Sequence, residues 1–175
     1  TLVEAIAGFL PVTEGRICWE GRDITNDAPG TRPVAMLFQD GNLFPHLTVS
    51  QNVGLGLRPD LRLNADEKAG VQAAIARVGL QGMETRKPAA LSGGQQSRAA
   101  LARVLVQARP LLLLDDPFAE LDLGRAGRVL ALLEDAGASQ VLLAVPRVDD
   151  IPAAFTRLAQ RTMSDGLLQP LARPA

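Results

Sequence analysis

An α/β fold with a mostly parallel sheet is what this chain predicts, on three observations. Short apolar runs at Val34–Phe38, Leu111–Leu114 and Gln140–Val145 read as buried strands. Helical patterns alternate with them, which favours parallel crossovers over hairpins. From Asp40 to Gln107 the chain offers helix caps and helical spacing but no strand pattern. We therefore expect one domain, 1–175, with a helical subdomain inserted at 40–107 and Leu111–Asp115 as the central strand.

The elements follow in order. Leu2, Val3 and Ile6 share one helical face and Gly8 stands where a left-handed cap belongs, so residues 1–7 read as the end of a helix. Gly15–Gly21 reads as a strand bounded by glycines, with Ile17 and Trp19 on one face and Cys18 in the core. Thr48 with Gln51 and Asn64 with Glu67 have capping-box spacing. The second opens a helix that should bury Val71, Ile75 and Val78 before Gly79. A helix over Gln95–Gln107 should bury Ala99, Leu101, Ala102, Leu105 and Val106, and another is expected over Leu123–Ala136. Pro152 suits the first turn of a last helix running to Gln160, and Asp165-Gly166 a hairpin turn.

Composition narrows the function classes. A chain of 175 residues that is 47% hydrophobic can bury a core, and a net charge of −1 gives no footprint for nucleic acid. A single cysteine forms no internal disulfide. No apolar stretch reaches the roughly 20 residues that span a bilayer. The start, Thr1-Leu2-Val3-Glu4, lacks a methionine and the regions of a signal peptide, so the chain reads as cut from something longer.

The chemistry concentrates in a few segments. Leu91-Ser92-Gly93-Gly94-Gln95 places a cap and two glycines at the mouth of a helix, where backbone amides can approach a phosphate without a Cβ between. Leu111–Leu114 delivers Asp115 and Asp116 to a strand's C-terminal end, the edge where open α/β sheets bind ligands. Val34–Phe38 delivers Gln39 in the same way, and Phe118-Ala119-Glu120-Leu121-Asp122 follows the acidic pair.

Taken together and in this order, these segments resemble the ATP-binding-cassette (ABC) ATPases, with their P-loop NTPase-like core. The resemblance covers nearly the whole chain. It implies ATP and Mg²⁺ as cofactors and a homodimer in which Ser92, Gly93, Gly94 and Gln95 grip nucleotide held by the second ATPase subunit. It implies that Asp115 and Gln39 serve the metal, that Asp116 and Gln39 act on the attacking water, and that Asp122 lies on a loop crossing the dimer interface. Thr1 would follow the metal-binding Ser or Thr of a glycine-rich phosphate loop, and no such loop occurs in this sequence.

Within the family, the stretch from Arg32 to Ala65 looks like the ATP-binding subunits of bacterial thiamine importers. That likeness implies a peripheral protein on the cytoplasmic face of the inner membrane. Permease subunits would dock near Leu43, Phe44, His46 and Leu47, and a periplasmic binding protein would act indirectly. The same four residues could instead cap the subdomain's own core. Iron, sulfate or polyamine import remains an alternative within the class.

Two positions depart from the family. Its Walker B strand ends Asp-Glu-Pro, whereas this one ends Asp115-Asp116-Pro117, which shortens the base by roughly 1.5 Å. The histidine expected after the last core strand is replaced by Pro146. Slow hydrolysis follows, and with it two alternative readings: a non-catalytic nucleotide-binding regulatory subunit, or an inactive fragment.

Overall fold

Leu111–Asp115 forms β4, the middle strand of a parallel sheet whose outer strands are β3 (Val34–Leu37) and β5 (Gln140–Ala144). The computed structural model describes residues 2–38, 43–116, 139–151, 159–164 and 167–170. Leu37 pairs with Leu114 and Asp115 with Ala144, so all three strands end at one edge. The expected central strand is the observed one.

Strand periodicity divides the core in two. Val34, Leu111 and Leu113 face one side, where Val3 and Ala7 of helix α1 (Leu2–Ala7) cover them. Ala35, Leu37, Leu112 and Leu114 face the other. That side is covered by three mutually packed helices, α2 (Val49–Gly54), α3 (Ala65–Arg77) and α4 (Gly93–Leu105). Leu113 and Leu114 are both 0% exposed, so consecutive residues of one strand seal opposite layers. Fully burying a leucine contributes about 2 kcal/mol.

The helix signals work as their chemistry requires. In α2 the Thr48 hydroxyl accepts from the Gln51 N–H at 3.2 Å while the Gln51 side chain accepts from the Thr48 N–H at 2.9 Å. Asn64 and Glu67 make the same reciprocal pair at 2.8 Å each. Each such cap is worth about 1 kcal/mol. Helix α3 buries Val71, Ile75 and Val78 and stops at Gly79, whose φ of +69 lets the Leu80 N–H reach back to the Ile75 carbonyl at 3.0 Å. No strand lies between β3 and β4 among the described residues.

Arg32 ties α1 to the rest. Only 2% exposed, it donates from Nε to the Asp27 carbonyl and from its terminal nitrogens to the carbonyls of Ala5, Ile6 and Thr25, all within 2.7–2.9 Å. Two of those acceptors belong to the C-terminal turn of α1, the negative end of the helix dipole. Gly8 ends that helix at φ +90, and a Cβ there would lie 2.7 Å from Arg32 Nε. Conformation and space both require glycine.

Several expectations need correction. The segment Gly15–Gly21 is not one strand: it reverses at Glu20-Gly21, both at positive φ, to form a hairpin of β1 (Cys18–Trp19) and β2 (Arg22–Asp23). Ile17 and Trp19 do share the half-buried face, and the pleat turns Cys18 outward, so the cysteine is exposed rather than in the core. Helix α4 begins at Gly93 and ends at Leu105 rather than spanning Gln95–Gln107, because its cap is Ser92 and the glycines form its first turn; Val106 is half-buried. The strand β5 ends one residue before Val145. The helix expected over Leu123–Ala136 lies outside the described residues, as does most of the one beginning near Pro152. Asp165 and Gly166 lie outside them too, but the strands on either side, β6 (Arg161–Ser164) and β7 (Leu167–Pro170), pair antiparallel.

Candidate functional site

At the C-terminal edge of the sheet, β4 brings Asp115 and Asp116 out side by side, both half-buried. The chain kinks there: Asp116 has φ +46, and its N–H donates to the Ala144 carbonyl of β5 at 2.8 Å. Aspartate tolerates the left-handed region better than most residues, and such conformations collect at functional sites. Burial, then the nearby Asp150 carboxylate, then Asp115 raise the pKa of Asp116 above the ordinary carboxylate value. A group raised in this way is a better proton acceptor when ionised.

Asp150 is a neighbour that sequence reasoning did not find. After β5 the chain turns through Val145 and the exposed Pro146, and Asp150 folds back to accept from the Arg147 N–H at 3.0 Å and to pair with its guanidinium at 3.6 Å. The only available signal was the acidic pair Asp149-Asp150 shortly after a strand of the same sheet. Pro146 thus stands two residues beyond the residue that pairs with Asp115.

Helix α4 presents the second part. Leu91 is buried and anchors its entry, Ser92 and Gly93 are exposed, and Gly94 and Gln95 are half-buried. The Gln95 side chain accepts from the Ser92 N–H at 2.8 Å, fixing the turn. The Gln95 and Gln96 N–H groups donate to the Ser92 carbonyl at 2.9 Å each, and the positive end of the helix dipole points out at Ser92–Gly94, an arrangement suited to an anion. Arg98 braces it by donating to the Gly94 carbonyl at 3.2 Å and to the Val78 carbonyl, at the end of α3, at 3.0 Å.

The sheet edge also receives β3. Since Leu37 pairs with Leu114, Phe38 leaves the strand on the same edge as Asp115, and the chain continues from there to Gln39. Gln39 itself, Thr1 and Asp122 lie outside the described residues. The structure therefore brings together Asp115, Asp116 and the exit toward Gln39, and gives Ser92–Gln95 a capped helix start. Carboxylates offer the hard oxygens that suit Mg²⁺ held partly through water and phosphate. Among the described residues no cluster of three or more His, Cys, Asp or Glu could hold a metal unaided.

A third surface lies at the loop before α2. Phe44 and His46 are exposed, their rings edge to face at 6.0 Å, whereas Leu43 packs against the core beside the helices. Phe44 borders a mostly apolar cleft of about 470 Å³ with Phe9, Met36, Phe38, Leu55 and Arg103 among its walls. The Phe9 and Phe38 rings stack at a tilt within it, 5.5 Å apart. Among the described residues no helix is long and apolar enough to cross a membrane.

Residues 1–119 match the sequence profile of a family described as ABC transporter. The chain is 62% identical to a thiamine import ATP-binding protein of a Ruegeria species, over 77% of this chain and 58% of that protein. Corresponding proteins of Cereibacter sphaeroides and Yersinia pseudotuberculosis are 52% and 45% identical, each over 93% of this chain and covering 70% and 69% of the relatives. The chain thus spans between 58% and 70% of the length of these three relatives. A solved dimeric ATP-binding cassette in a post-hydrolysis state, bound to ADP and Pi, superposes with a TM-score of 0.72 at 27% identity, over 86% of this chain and 70% of that one. The α/β architecture is that of the P-loop NTPases. With a family profile over most of its length and 52% identity across 93% of it, the chain belongs to the ABC transporter family.

Proposed function

We propose that the protein to which this chain belongs is the ATP-binding, energy-coupling subunit of a bacterial importer for thiamine, hydrolysing ATP in a homodimer. The observation that carries the reading is the sheet edge, where a kinked Asp116 of raised pKa stands beside Asp115 and the exit toward Gln39. Relatives whose names state thiamine import support the substrate.

In this reading Asp115 and Gln39 would hold Mg²⁺ on bound ATP; water attacks the γ-phosphorus, the bond from it to the β–γ bridging oxygen breaks, and ADP leaves. Asp116 accepts a proton from the attacking water, which Gln39 helps to orient. Ser92, Gly93, Gly94 and Gln95 face nucleotide on the second subunit, and Thr1 and Asp122 belong to the same interface site. Binding and chemistry then rest on different groups. The helix start supplies ground-state contacts, and Asp116 and the position of Pro146 act on the transition state.

The block 40–107 is read as a helical subdomain carrying the permease contact. Exposed Phe44 and His46, with the apolar cleft beside them, take an apolar segment of the permease together with half-buried Leu47, and Leu43 packs against the core beneath. A membrane-peripheral position on the cytoplasmic face and an indirect link to a periplasmic binding protein follow from that contact.

Uptake by the full-length protein reconstituted with its permease and binding protein tests the substrate. We expect ATP-dependent accumulation of thiamine and none of iron, sulfate or polyamine. Uptake of one of those solutes in place of thiamine sinks the assignment. ATP turnover with no uptake of any of them sinks the importer reading itself.

A further inference from the structure

Asn52 is buried completely in a position whose neighbours, Val49 and Val53, are apolar and equally buried. A carboxamide there is costly unless every polar atom finds a partner. All its side-chain partners lie in one short loop. Its Oδ1 accepts from the Phe44 N–H at 2.8 Å, and Nδ2 donates to the carbonyls of Phe44, Leu47 and Thr48 at 3.1, 3.2 and 3.0 Å. Two hydrogens serve three acceptors, so the bonds are shared.

The helix that carries Asn52 is held by other means. Val49 and Ser50 donate their N–H groups to the carbonyls of Arg86 and Glu84 at 2.8 and 2.9 Å, and the Thr48 capping box closes the first turn. Among the described residues, the Phe44–Leu47 stretch has besides Asn52 the single backbone bond from the Leu47 N–H to the Phe44 carbonyl at 3.1 Å. Asn52 binds both the N–H and the carbonyl of Phe44, which fixes where the Phe44 ring leaves the backbone. That ring is 47% exposed and rests edge-on against exposed His46. A loop left to itself would fold such a ring away from water.

We propose that Asn52 is a positioning residue for docking: its carboxamide holds the Phe44–Thr48 loop in the shape that receives the permease. The proposal rests on the reading of Phe44 and His46 as the permease contact. The apolar knob is preorganised, so ordering it costs nothing when the partner arrives. Without the clasp, that cost falls on binding, while the nucleotide groups at the sheet edge and the start of α4 are untouched.

The test uses the full-length protein and its permease in detergent, comparing parent, Asn52→Leu and Phe44→Asp. Asn52→Leu keeps the branched shape at somewhat greater bulk and removes the clasp. We expect it to speed hydrogen exchange at the Phe44 amide and to weaken permease affinity about tenfold. Its ATP dissociation constant should stay within about twofold of the parent value, a change under about 0.5 kcal/mol. Phe44→Asp should abolish assembly. If Phe44→Asp breaks assembly and Asn52→Leu does not weaken it, the inference is wrong and the docking reading stands. If Phe44→Asp assembles normally, the docking reading fails and takes the inference with it. Asn52→Ala, which adds no bulk, replaces the leucine variant should that one not fold. In the parent protein the Phe44 amide must exchange as slowly as the amides of α2, and fast exchange there overturns the proposal without any variant.

Discussion

The helical block and the sheet edge treat polar groups in opposite ways. In the helical block α2 and α3 are each closed by a reciprocal side-chain and backbone pair, and the Gln95 side chain accepts from the Ser92 N–H at the entry to α4. A fully buried amide there has all its side-chain partners in one loop. At the end of β4 the Asp115 and Asp150 carboxylates act on Asp116 and lift its pKa, and an exposed Arg147 pairs with Asp150 alone. The first arrangement satisfies its polar groups locally, and the second holds like charges close together, as the proposed chemistry would require. On the proposed function, stability and chemistry fall to separate parts of the chain.

Each expected outcome tests that separation. The largest effect should come from Ile75→Ala in α3, where a side chain with no exposed surface leaves a cavity: about 3 kcal/mol of stability lost. Chemical denaturation of the full-length protein measures it, and turnover per folded molecule should not change. A fall in turnover together with stability would break the comparison.

Next is Asp116→Glu in the full-length protein. Restoring the missing methylene should raise ATP turnover on the order of 100-fold, near 2.7 kcal/mol of barrier. Pro146→His should raise it less, and the double variant should exceed both because both act on one transition state. Glutamate is less at home at φ +46 than aspartate, so the faster enzyme should also melt at a slightly lower temperature. Steady-state phosphate release from the four proteins decides it, and a parent already as fast as the double variant refutes the claim that these positions slow hydrolysis.

The smallest effect is in pH dependence. Because the folded state holds the Asp116 proton more tightly than the unfolded chain does, this group favours folding at pH below the ordinary carboxylate range. That contribution is lost as pH rises through the raised pKa. Asp116→Asn should therefore gain stability relative to the parent on going from acid to neutral pH, by a small amount because the group is only partly buried. A melting-temperature difference that is flat across that range contradicts the raised pKa.

Local rules made much of this legible. Thr48 and Asn64 announce their helices because a cap's partner stands three residues away, and Gly8 and Gly79 announce helix ends because the left-handed region excludes most side chains. The run Leu111–Asp115 announces the central strand because burial on both faces removes alternation. What stayed hidden depends on chain segments far apart. Gly21 gave the same signal for a strand end as for a hairpin turn, and Cys18 followed the wrong choice inward. Asp150 reaches Asp116 only because β5 lies beside β4. Asn52 reads as one more polar residue on a helix until the loop it clasps is in place.

Arg32 carries a consequence for how the molecule assembles. Its acceptors on α1 lie 26 and 27 residues earlier in the chain, whereas those on the hairpin side lie 5 and 7 residues away. A guanidinium cannot give up its water for half of that set without leaving a buried cation underbonded. Residues 2–32 should therefore open and close as one cooperative unit. Amides of α1 and of the β1–β2 hairpin should exchange with a common free energy of opening. One side chain makes two distant segments a single step in unfolding.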